Sequence, residues 1–215
     1  MRYIAALGLL FFLTSLTYAQ EETVFRHRLN PQTENAFMET CARLSGYPYV
    51  RGSFELEKTI AGIRRSLVSS GNFLIAAQLG MVWDTVRPLP STLTLGRDFI
   101  IQSRGGGRRT VIPAHENETF LRMADITSAM FTGNAQGLLD NFDIYYLIDG
   151  DSWEMGLVPL DRTVNSFAAR IIMKGDTVIR TIQIMERNGD STRYTLSNHS
   201  FGELTSNEQA LFAYP

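Results

Sequence analysis

Two neighbouring segments in the first half of the chain are apolar on both faces that a β-strand would present. Every residue from 73 to 77 (FLIAA) is apolar, and MVW at 81–83 repeats this pattern after Gly80. A strand with one face in water alternates apolar and polar side chains, so this pair needs cover on both faces. We predict that helices supply the second layer, with an apolar gap between them and the sheet.

The first 19 residues have the features of a secretory signal. Arg2 precedes an apolar stretch at residues 4–13, and small residues precede a cleavage site after Ala19. An uncleaved anchor helix is the alternative, but the stretch is shorter than the ~20 apolar residues that a membrane span needs. We therefore expect a cleaved signal peptide at 1–19 and a single exported, soluble domain at 20–215.

Charge and cysteine content narrow the classes of partner and the ways of stabilising the fold. The chain has 20 Lys and Arg against 22 Asp and Glu, a net charge of −2, which argues against a nucleic-acid partner. Its single cysteine, Cys41, excludes an internal disulfide, and a chain of this length buries a full core without one. We expect Cys41 to be a core residue rather than a nucleophile, and the protein to be a monomer.

Apolar periodicity predicts one helix before the sheet and a helical pair within it. Residues 30–46 place Phe37, Cys41 and Leu44 on one face, with Gly46 as the stop. A helical region follows at about 117–139, is broken at Gly133, and leaves a second short helix at 134–141. Its apolar stripe consists of Phe120, Met123, Ile126, Met130 and Phe131. Because methionine is flexible and polarisable, such a stripe suits a surface that must repack.

Alternating segments predict a sheet of about ten strands. They lie at residues 49–60, 67–77, 81–86, 91–95, 99–102, 142–149, 153–157, 167–173, 178–186 and 193–201. Short turns such as DGD at 149–151 favour antiparallel neighbours, and RGGGRR at 104–109 is expected to be a mobile tip or hairpin turn. A sheet with this many strands tends to roll into a barrel or half-barrel, with the apolar helices on its concave side.

Few residues have the spacing that catalysis or metal binding requires. His27, His115 and His199 are not spaced as metal ligands, and we expect them on the surface or in loops. There is no nucleophile-elbow motif and no P-loop, and DGDSWE lacks the later acidic ligands of a calcium loop. Three interpretations of RGGGRR stay open: a solvated loop, a phosphate site, or a segment that contacts anionic lipid or a partner protein. We predict no catalytic residues, no metal, no cofactor and no enzymatic activity.

Several segments, taken in order, resemble the LolA-like periplasmic lipoprotein carriers of Gram-negative bacteria. GSFELEKT at 52–59 is similar to that family's first strand, and SSGNFLIA with GMVWDTVRPLPSTL, at 69–76 and 80–93, to its second and third. The segment FLRMADITSAMFTGNAQGL at 120–138 stands where the family has its lid. The segments YYLIDGDSWEMGLVPLD and FAARIIMKGDTVIRTIQIMERNGDSTRYTL and the terminal ALFAYP follow its closing meander.

The resemblance implies a mainly β fold and a carrier function. The fold is an unclosed antiparallel β-barrel of about eleven strands, with an N-terminal helix and a helical lid over a hydrophobic cavity. The implied function is to bind the acyl chains of lipoproteins and shuttle them through the periplasm from the inner to the outer membrane. The implied partners are an inner-membrane ABC transporter for loading and an outer-membrane acceptor. A carrier or sensor of another lipid or hydrophobic ligand on the same scaffold is the alternative.

The chain departs from the family at one functional position. Well-studied members carry an arginine on the second strand that latches the lid, and here Ala77 stands at that position. Gln78 and Arg87 are the neighbouring candidates to replace it. The departure favours a more permanently open cavity or a different lipid cargo.

The predicted cavity has a fixed side on strands and a moving side on the lid. The fixed side comprises Phe54, Leu56, Phe73, Ile75, Met81, Trp83, Leu93 and Met155. The moving side comprises Phe120, Met123, Met130 and Phe131. The alternative is that these side chains form a tightly packed core, with the function carried elsewhere on the surface.

Overall fold

In a computed structural model, eleven strands form one antiparallel sheet. The structure describes residues 23–63, 65–105, 107, 109–113 and 118–213, apart from the side chains of 118–123 and 163. The strands are β1 (Tyr49–Thr59), β2 (Ser66–Ala76), β3 (Gly80–Arg87), β4 (Ser91–Gly96), β5 (Phe99–Arg104), β6 (Thr110–Pro113), β7 (Phe142–Asp149), β8 (Ser152–Pro159), β9 (Arg170–Gly175), β10 (Ile179–Met185) and β11 (Ser191–Phe201). The predicted signal peptide, the helix start at Asn117 and the position of His115 lie outside the described residues.

The strand order runs β6-β5-β4-β3-β2-β1-β11-β10-β9-β8-β7, with β6 and β7 at its two ends. Within the part of the chain that is described, these end strands do not pair with each other, so the sheet is unclosed. Neighbouring strands are antiparallel, and among the described strands only the β1–β11 pair joins strands distant in sequence. That long-range pair brings the first six strands beside the last five. The predicted class, a mainly β unclosed antiparallel barrel, is confirmed.

In the described residues, five α-helices and one 3-10 turn (Val24–Arg26) accompany the sheet. The helices are α1 (Glu34–Ser45), α2 (Glu118–Thr132), α3 (Ala135–Asn141), α4 (Arg162–Phe167) and α5 (Ser206–Ala210). The predicted stripe of α1 is confirmed, because Phe37, Cys41 and Leu44 are all buried. Among the described residues, no helix combines the length and the apolar character needed to cross a bilayer.

The break between α2 and α3 is at the glycine that the sequence marks. Gly133 has φ +63°, a left-handed conformation that glycine adopts without strain. A Cβ atom at this position would lie 2.5 Å from the carbonyl oxygen of Cys41 in α1. The glycine therefore allows the end of α2 to approach the backbone of α1 closely.

One face of the sheet, here called the inner face, packs against α1, α2 and α3. The helices contribute buried side chains including Phe37, Met130 and Leu138 to a single large cluster. The β2–β3 pair contributes Phe73 and Met81 to the same cluster. Helical cover of the apolar strand pair is thus confirmed for this face.

The second apolar face of the β2–β3 pair is covered by the C-terminal segment, residues 204–212. Leu74 and Val82 form a separate buried cluster with Ala76 and Leu204, against which Leu211 and the ring of Phe212 pack. The prediction that the predicted helices supply this second layer was wrong, and α5 in the C-terminal segment was not predicted. The helices cover the inner face only, so the outer face needs a separate layer to exclude water from these side chains.

An ion pair and a helix cap hold the C-terminal segment. Arg51 in β1 donates from Nε to Oε1 of Glu208 (2.7 Å) and from Nη2 to Oε2 (3.1 Å). Thr205 and Glu208 also form a reciprocal capping box at the start of α5. The Arg51 hydrogen bond lowers the pKa of Glu208 to about 2. The segment is therefore fixed to β1 by charge as well as by apolar contact.

The structure differs from the predicted elements in two further places. The strand predicted at 167–173 begins at Arg170, because the preceding residues form α4, whose first turn is capped by Asp161 Oδ1 accepting from the Val164 N–H at 3.2 Å. Strand β6, at the end of the RGGGRR connection, was not predicted. That connection joins two antiparallel strands and is a hairpin, as expected.

Candidate functional site

A cavity of about 420 Å³ lies between the inner face of the sheet and helices α2 and α4. Its lining is almost entirely apolar. The residues are Met81, Trp83, Leu93, Leu95, Ile126, Thr127, Met130, Phe131, Val164, Phe167, Ala168, Ile171, Ile182, Ile184, Glu186, Thr192 and Tyr194. The volume falls within the range of about 300–1,000 Å³ typical of pockets for small ligands.

Strand alternation explains one wall of the cavity. Met81 and Trp83 are two residues apart in β3, as are Leu93 and Leu95 in β4, so each pair projects from one side of its strand. The strand register places Trp83 opposite Leu93, and Met81 opposite Leu95. The four side chains therefore form one continuous apolar surface.

The last strands form the facing wall by the same rule. In β10, Ile182 and Ile184 line the cavity, and in β11 Thr192 and Tyr194 do so. The register pairs Ile182 with Tyr194 and Ile184 with Thr192. This wall faces β3 and β4 only because the β1–β11 pair brings the two halves of the sheet together.

Helices α2 and α4 cover the cavity. Ile126, Met130 and Phe131 of α2 are buried, as is Val164 of α4. Phe167, at the end of α4, is 54% exposed although it lines the cavity. Phe167 therefore marks the mouth, where the cavity meets solvent.

Trp83 is the centre of an aromatic cluster beside the cavity. Its ring stacks on Phe54 and Phe73, with centroids 4.8 and 5.7 Å away. It also meets Tyr194 edge-on at 5.4 Å and Phe131 of α2 at 5.9 Å. The indole Nε1 is buried and has no hydrogen-bond partner in the described part of the chain. The contact with Phe131 joins the strand wall directly to the helical cover.

One end of the cavity is polar. Glu186 follows the last residue of β10, and its Oε1 accepts a hydrogen bond from Lys58 Nζ at 2.9 Å. The buried Thr192 hydroxyl donates to the same oxygen at 3.4 Å. The hydrogen bond with Glu186 raises the pKa of Lys58, so the ammonium group of Lys58 stays protonated at neutral pH.

The structure brings together some of the predicted cavity residues and places others behind them. Met81, Trp83, Leu93, Met130 and Phe131 line the cavity. Phe54 and Phe73 are buried behind Trp83, Ile75 and Met155 are buried in the core, and Leu56 packs half-buried against that core. Phe120 and Met123 lie in α2, with side chains outside the described set.

Sequence reasoning missed the wall from β9 to β11 and the cover from α4. Ile182 and Ile184 have the spacing of two that marks one strand face, which is a readable signal. Nothing local says that this face meets β3 and β4, because the meeting depends on the β1–β11 pair. For α4, Asp161 before Arg162 is a recognisable N-cap.

Burial favours the neutral form of two titratable side chains, Cys41 in the core and Tyr194 in the cavity wall. Burial raises the pKa of the Cys41 thiol to about 12, and Cys41 is a core residue as predicted. Burial also raises the pKa of the Tyr194 hydroxyl. Among the described residues no group of three or more His, Cys, Asp or Glu could hold a metal ion. The arrangement is suited to holding an apolar chain.

The structure places two residues that the sequence singles out, His199 and Ala77. His199 is not in a loop but lies half-buried in β11, edge-on to Phe73 at 5.7 Å, and burial lowers its pKa. The latch position, Ala77, directly follows β2, and its N–H donates to the Pro48 carbonyl at 2.9 Å. Gln78 accepts from Arg97 at 2.8 Å and makes no hydrogen bond to the described part of α2.

Comparisons with known proteins find similar folds at low sequence identity. A LolA superfamily protein from Nitrosomonas europaea is 6% identical, with 84% of this chain and 97% of that chain covered and a TM-score of 0.46. A DUF1329 family protein from Desulfovibrio piger is 11% identical, with 84% and 97% covered and a TM-score of 0.44. A structure described as an outer membrane lipoprotein-sorting protein domain, from Vibrio parahaemolyticus, is 13% identical, with 89% and 100% covered and a TM-score of 0.36.

No family model matches the chain, and no curated protein matches it in sequence. The LolA family name, which the sequence segments suggested, also appears among the solved structures that are similar to the chain.

Proposed function

We propose that the protein is a periplasmic carrier that holds the acyl chains of lipoproteins in the cavity and moves them from the inner to the outer membrane. The observation that supports this most is the cavity of about 420 Å³, whose walls are apolar on both the strand and the helix side. The resemblance of the sequence segments to lipoprotein carriers supplies the cargo and its partners, an inner-membrane ABC transporter and an outer-membrane acceptor. The carrier itself needs no catalytic group.

The physical chemistry of acyl binding fits such walls. Each methylene group removed from water contributes about 0.8 kcal/mol, so a ten-carbon chain gains about 8 kcal/mol before the costs of association. A carrier must hold the chain firmly enough to keep it out of water and still release it. Release is easiest if one wall moves away from the other.

The helical cover is the wall that moves in this proposal. Met130 and Phe131 belong to α2, whose end is fixed to α1 through the close approach at Gly133. Methionine and phenylalanine contacts are non-directional, so they can re-form around chains of different shape. Separation of Phe131 from Trp83 would open the cavity along its length.

A carrier or sensor of a single-chain lipid is the second candidate, and the cavity volume favours it. At about 420 Å³, the cavity is at the small end of the range of about 300–1,000 Å³ for single-ligand pockets. A lipoprotein anchor with two or three chains therefore requires the helical cover to open further. A lipid with one chain fits with less movement.

Native mass spectrometry of the protein purified gently from its own host tests the proposal. A co-purifying lipoprotein, identified by the mass of its acylated peptide, supports the lipoprotein carrier. A bound free lipid moves the assignment to the second candidate. An empty protein that also fails to bind a neutral apolar dye contradicts both, and favours a packed core with a function on the surface.

A further inference from the structure

We propose that Glu186 selects the ligand's head group: the cavity takes an acyl chain whose head carries hydrogen-bond donors and no negative charge. This inference rests on the proposed function and adds the chemical class of the head. The tail would lie between β3–β4 and β10–β11, and the head would lie at the polar end of the cavity. Glu186 would then act as a specificity-determining residue.

The cavity wall changes from apolar to polar along β10 and β11. Ile182, Ile184 and Glu186 follow one another at a spacing of two and all line the cavity. On β11, Thr192 lies opposite Ile184, and Tyr194 lies opposite Ile182. The wall therefore has an apolar part at Ile182 and a polar part where β10 ends. An amphiphile binds in one orientation on such a wall, with its head at Glu186.

The Glu186 carboxylate is held in place but keeps one oxygen available. Lys58 and Thr192 both donate to Oε1, and the Glu186 N–H donates to the Asp190 carbonyl at 2.9 Å. In the described part of the chain, Oε2 accepts no hydrogen bond. The side chain is only 23% exposed, so bulk water solvates this oxygen incompletely. A hydroxyl or amide N–H on a ligand head can donate to it.

The charges around this end disfavour an anionic head. Of the described residues lining the cavity, Glu186 alone has a charged side chain. Lys58 is already shared between Glu186 and Asp190, at 2.9 and 3.8 Å. Arg187 is turned away, because its Nε donates to the Asn165 carbonyl at 2.8 Å. A carboxylate or phosphate head would therefore be placed against a carboxylate, with no uncommitted cation among the described residues that line the cavity.

Competition between two ligands with the same tail tests the proposal. Decanoylglycerol has a neutral head with two hydroxyl donors, and decanoate has an anionic head without donors at neutral pH. Their affinities are measured by displacement of the neutral dye N-phenyl-1-naphthylamine. We expect the wild type to prefer decanoylglycerol by at least about tenfold. In Glu186→Gln, whose amide keeps the shape but removes the charge, we expect the preference to fall to within about threefold.

Two further variants keep the test decisive. Glu55→Gln removes an exposed carboxylate on β1 that does not line the cavity, and it should keep the wild-type preference. Lys58→Met removes the cation beside Glu186 and changes no residue that lines the cavity, so it should increase the preference for decanoylglycerol over decanoate. This variant provides the test if Glu186→Gln does not fold. An unchanged ratio in both Glu186→Gln and Lys58→Met overturns this inference and leaves the carrier proposal standing. Failure of the wild type to bind the dye or either ligand overturns both.

Discussion

At the scale of single residues, Trp83 contributes to the core and to the cavity at the same time. Its ring contacts Phe54, Phe73 and Tyr194 as well as Phe131 of the helical cover. Removing such an indole from a packed cluster costs about 3–5 kcal/mol of stability. Weaker ligand binding by Trp83→Ala would therefore report partial unfolding as much as loss of a cavity wall. A test of the cavity is better made by filling it.

Leu93→Trp should fill the cavity and weaken binding. Leu93 is half-buried and lines the open volume, so an indole there occupies space that an acyl chain would use. We expect a loss of affinity for decanoylglycerol of at least about tenfold, with a change in unfolding free energy below about 1.5 kcal/mol. Dye displacement and urea unfolding measure the two quantities. Leu89→Trp, at a side chain that is 77% exposed outside the cavity, is the matched control.

The Arg51–Glu208 pair predicts a pH dependence of stability. The pKa of Glu208 is about 2 in the folded protein, below its ordinary value of 4.5, so the Glu208 carboxylate stabilises the fold above pH 4.5. That contribution falls as pH drops below 4.5 and is lost as pH passes through 2. We expect Glu208→Gln to be about 1–2 kcal/mol less stable than wild type at pH 7, since it loses an ion pair and part of a helix cap.

Urea unfolding of both proteins at pH 7 and pH 3 measures this difference. The difference in unfolding free energy between wild type and Glu208→Gln should be smaller at pH 3. At that pH the Glu208 carboxylate stabilises the wild type less than it does at pH 7. Glu203→Gln removes an exposed carboxylate directly before that segment, and its stability should equal that of the wild type at both pH values. A gap that stays constant would show that the ion pair does not fix the C-terminal segment.

At the scale of elements, local patterns predict the other strands and α1 well, and three short elements, β6, α4 and α5, poorly. Alternation marks strands wherever one face is buried, so ten of the eleven strands could be found. Strand β6 has only four residues, too few for a pattern. Helix α5 has five, and its signal was the capping box from Thr205 to Glu208 rather than any apolar stripe. Short elements that are stabilised by caps and ion pairs contain too few residues to show a periodic apolar pattern.

Gly133→Ala should loosen the helical cover. The substitution puts a Cβ atom 2.5 Å from the Cys41 carbonyl and 2.7 Å from Leu44 Cβ, at a left-handed φ. Gly150→Ala, in the β7–β8 turn, meets the same φ penalty with nothing within 4 Å. We expect a loss of about 1 kcal/mol for Gly150→Ala and at least about 2 kcal/mol for Gly133→Ala.

The two glycine variants are compared by urea unfolding and by amide hydrogen exchange. Exchange in α2 and α3 should accelerate in Gly133→Ala and stay at the wild-type rate in Gly150→Ala. Equal losses of stability with unchanged exchange in the helices would mean that the α1–α2 approach does not hold the cover in place.

At the scale of the whole molecule, the fold class was accessible from the sequence, and the complete lining of the cavity was not. Turn and strand patterns indicate an antiparallel sheet, and apolar helices require a sheet to cover. The contact between Trp83 and Tyr194 in the cavity wall depends on the β1–β11 pair, whose partners are far apart in sequence. Local parity cannot supply that pairing, which is why Phe54 and Met155 were predicted to line the cavity and lie behind it instead. Whether a packed core or a cavity results is decided by long-range geometry.

Quenching of Trp83 by a bound acyl chain tests the central claim most directly. The chain has two tryptophans, so Trp153→Phe leaves Trp83 as the reporter, and Trp83→Phe leaves Trp153, which is buried away from the cavity with its Nε1 donating to the Asp176 carbonyl at 2.7 Å. A monoglyceride with a brominated acyl chain quenches an indole that it contacts. The account predicts saturable quenching of Trp83, little change at Trp153, and none with the unbrominated lipid. No quenching of Trp83, or equal quenching of both tryptophans, would contradict an acyl chain bound between the sheet and its helical cover.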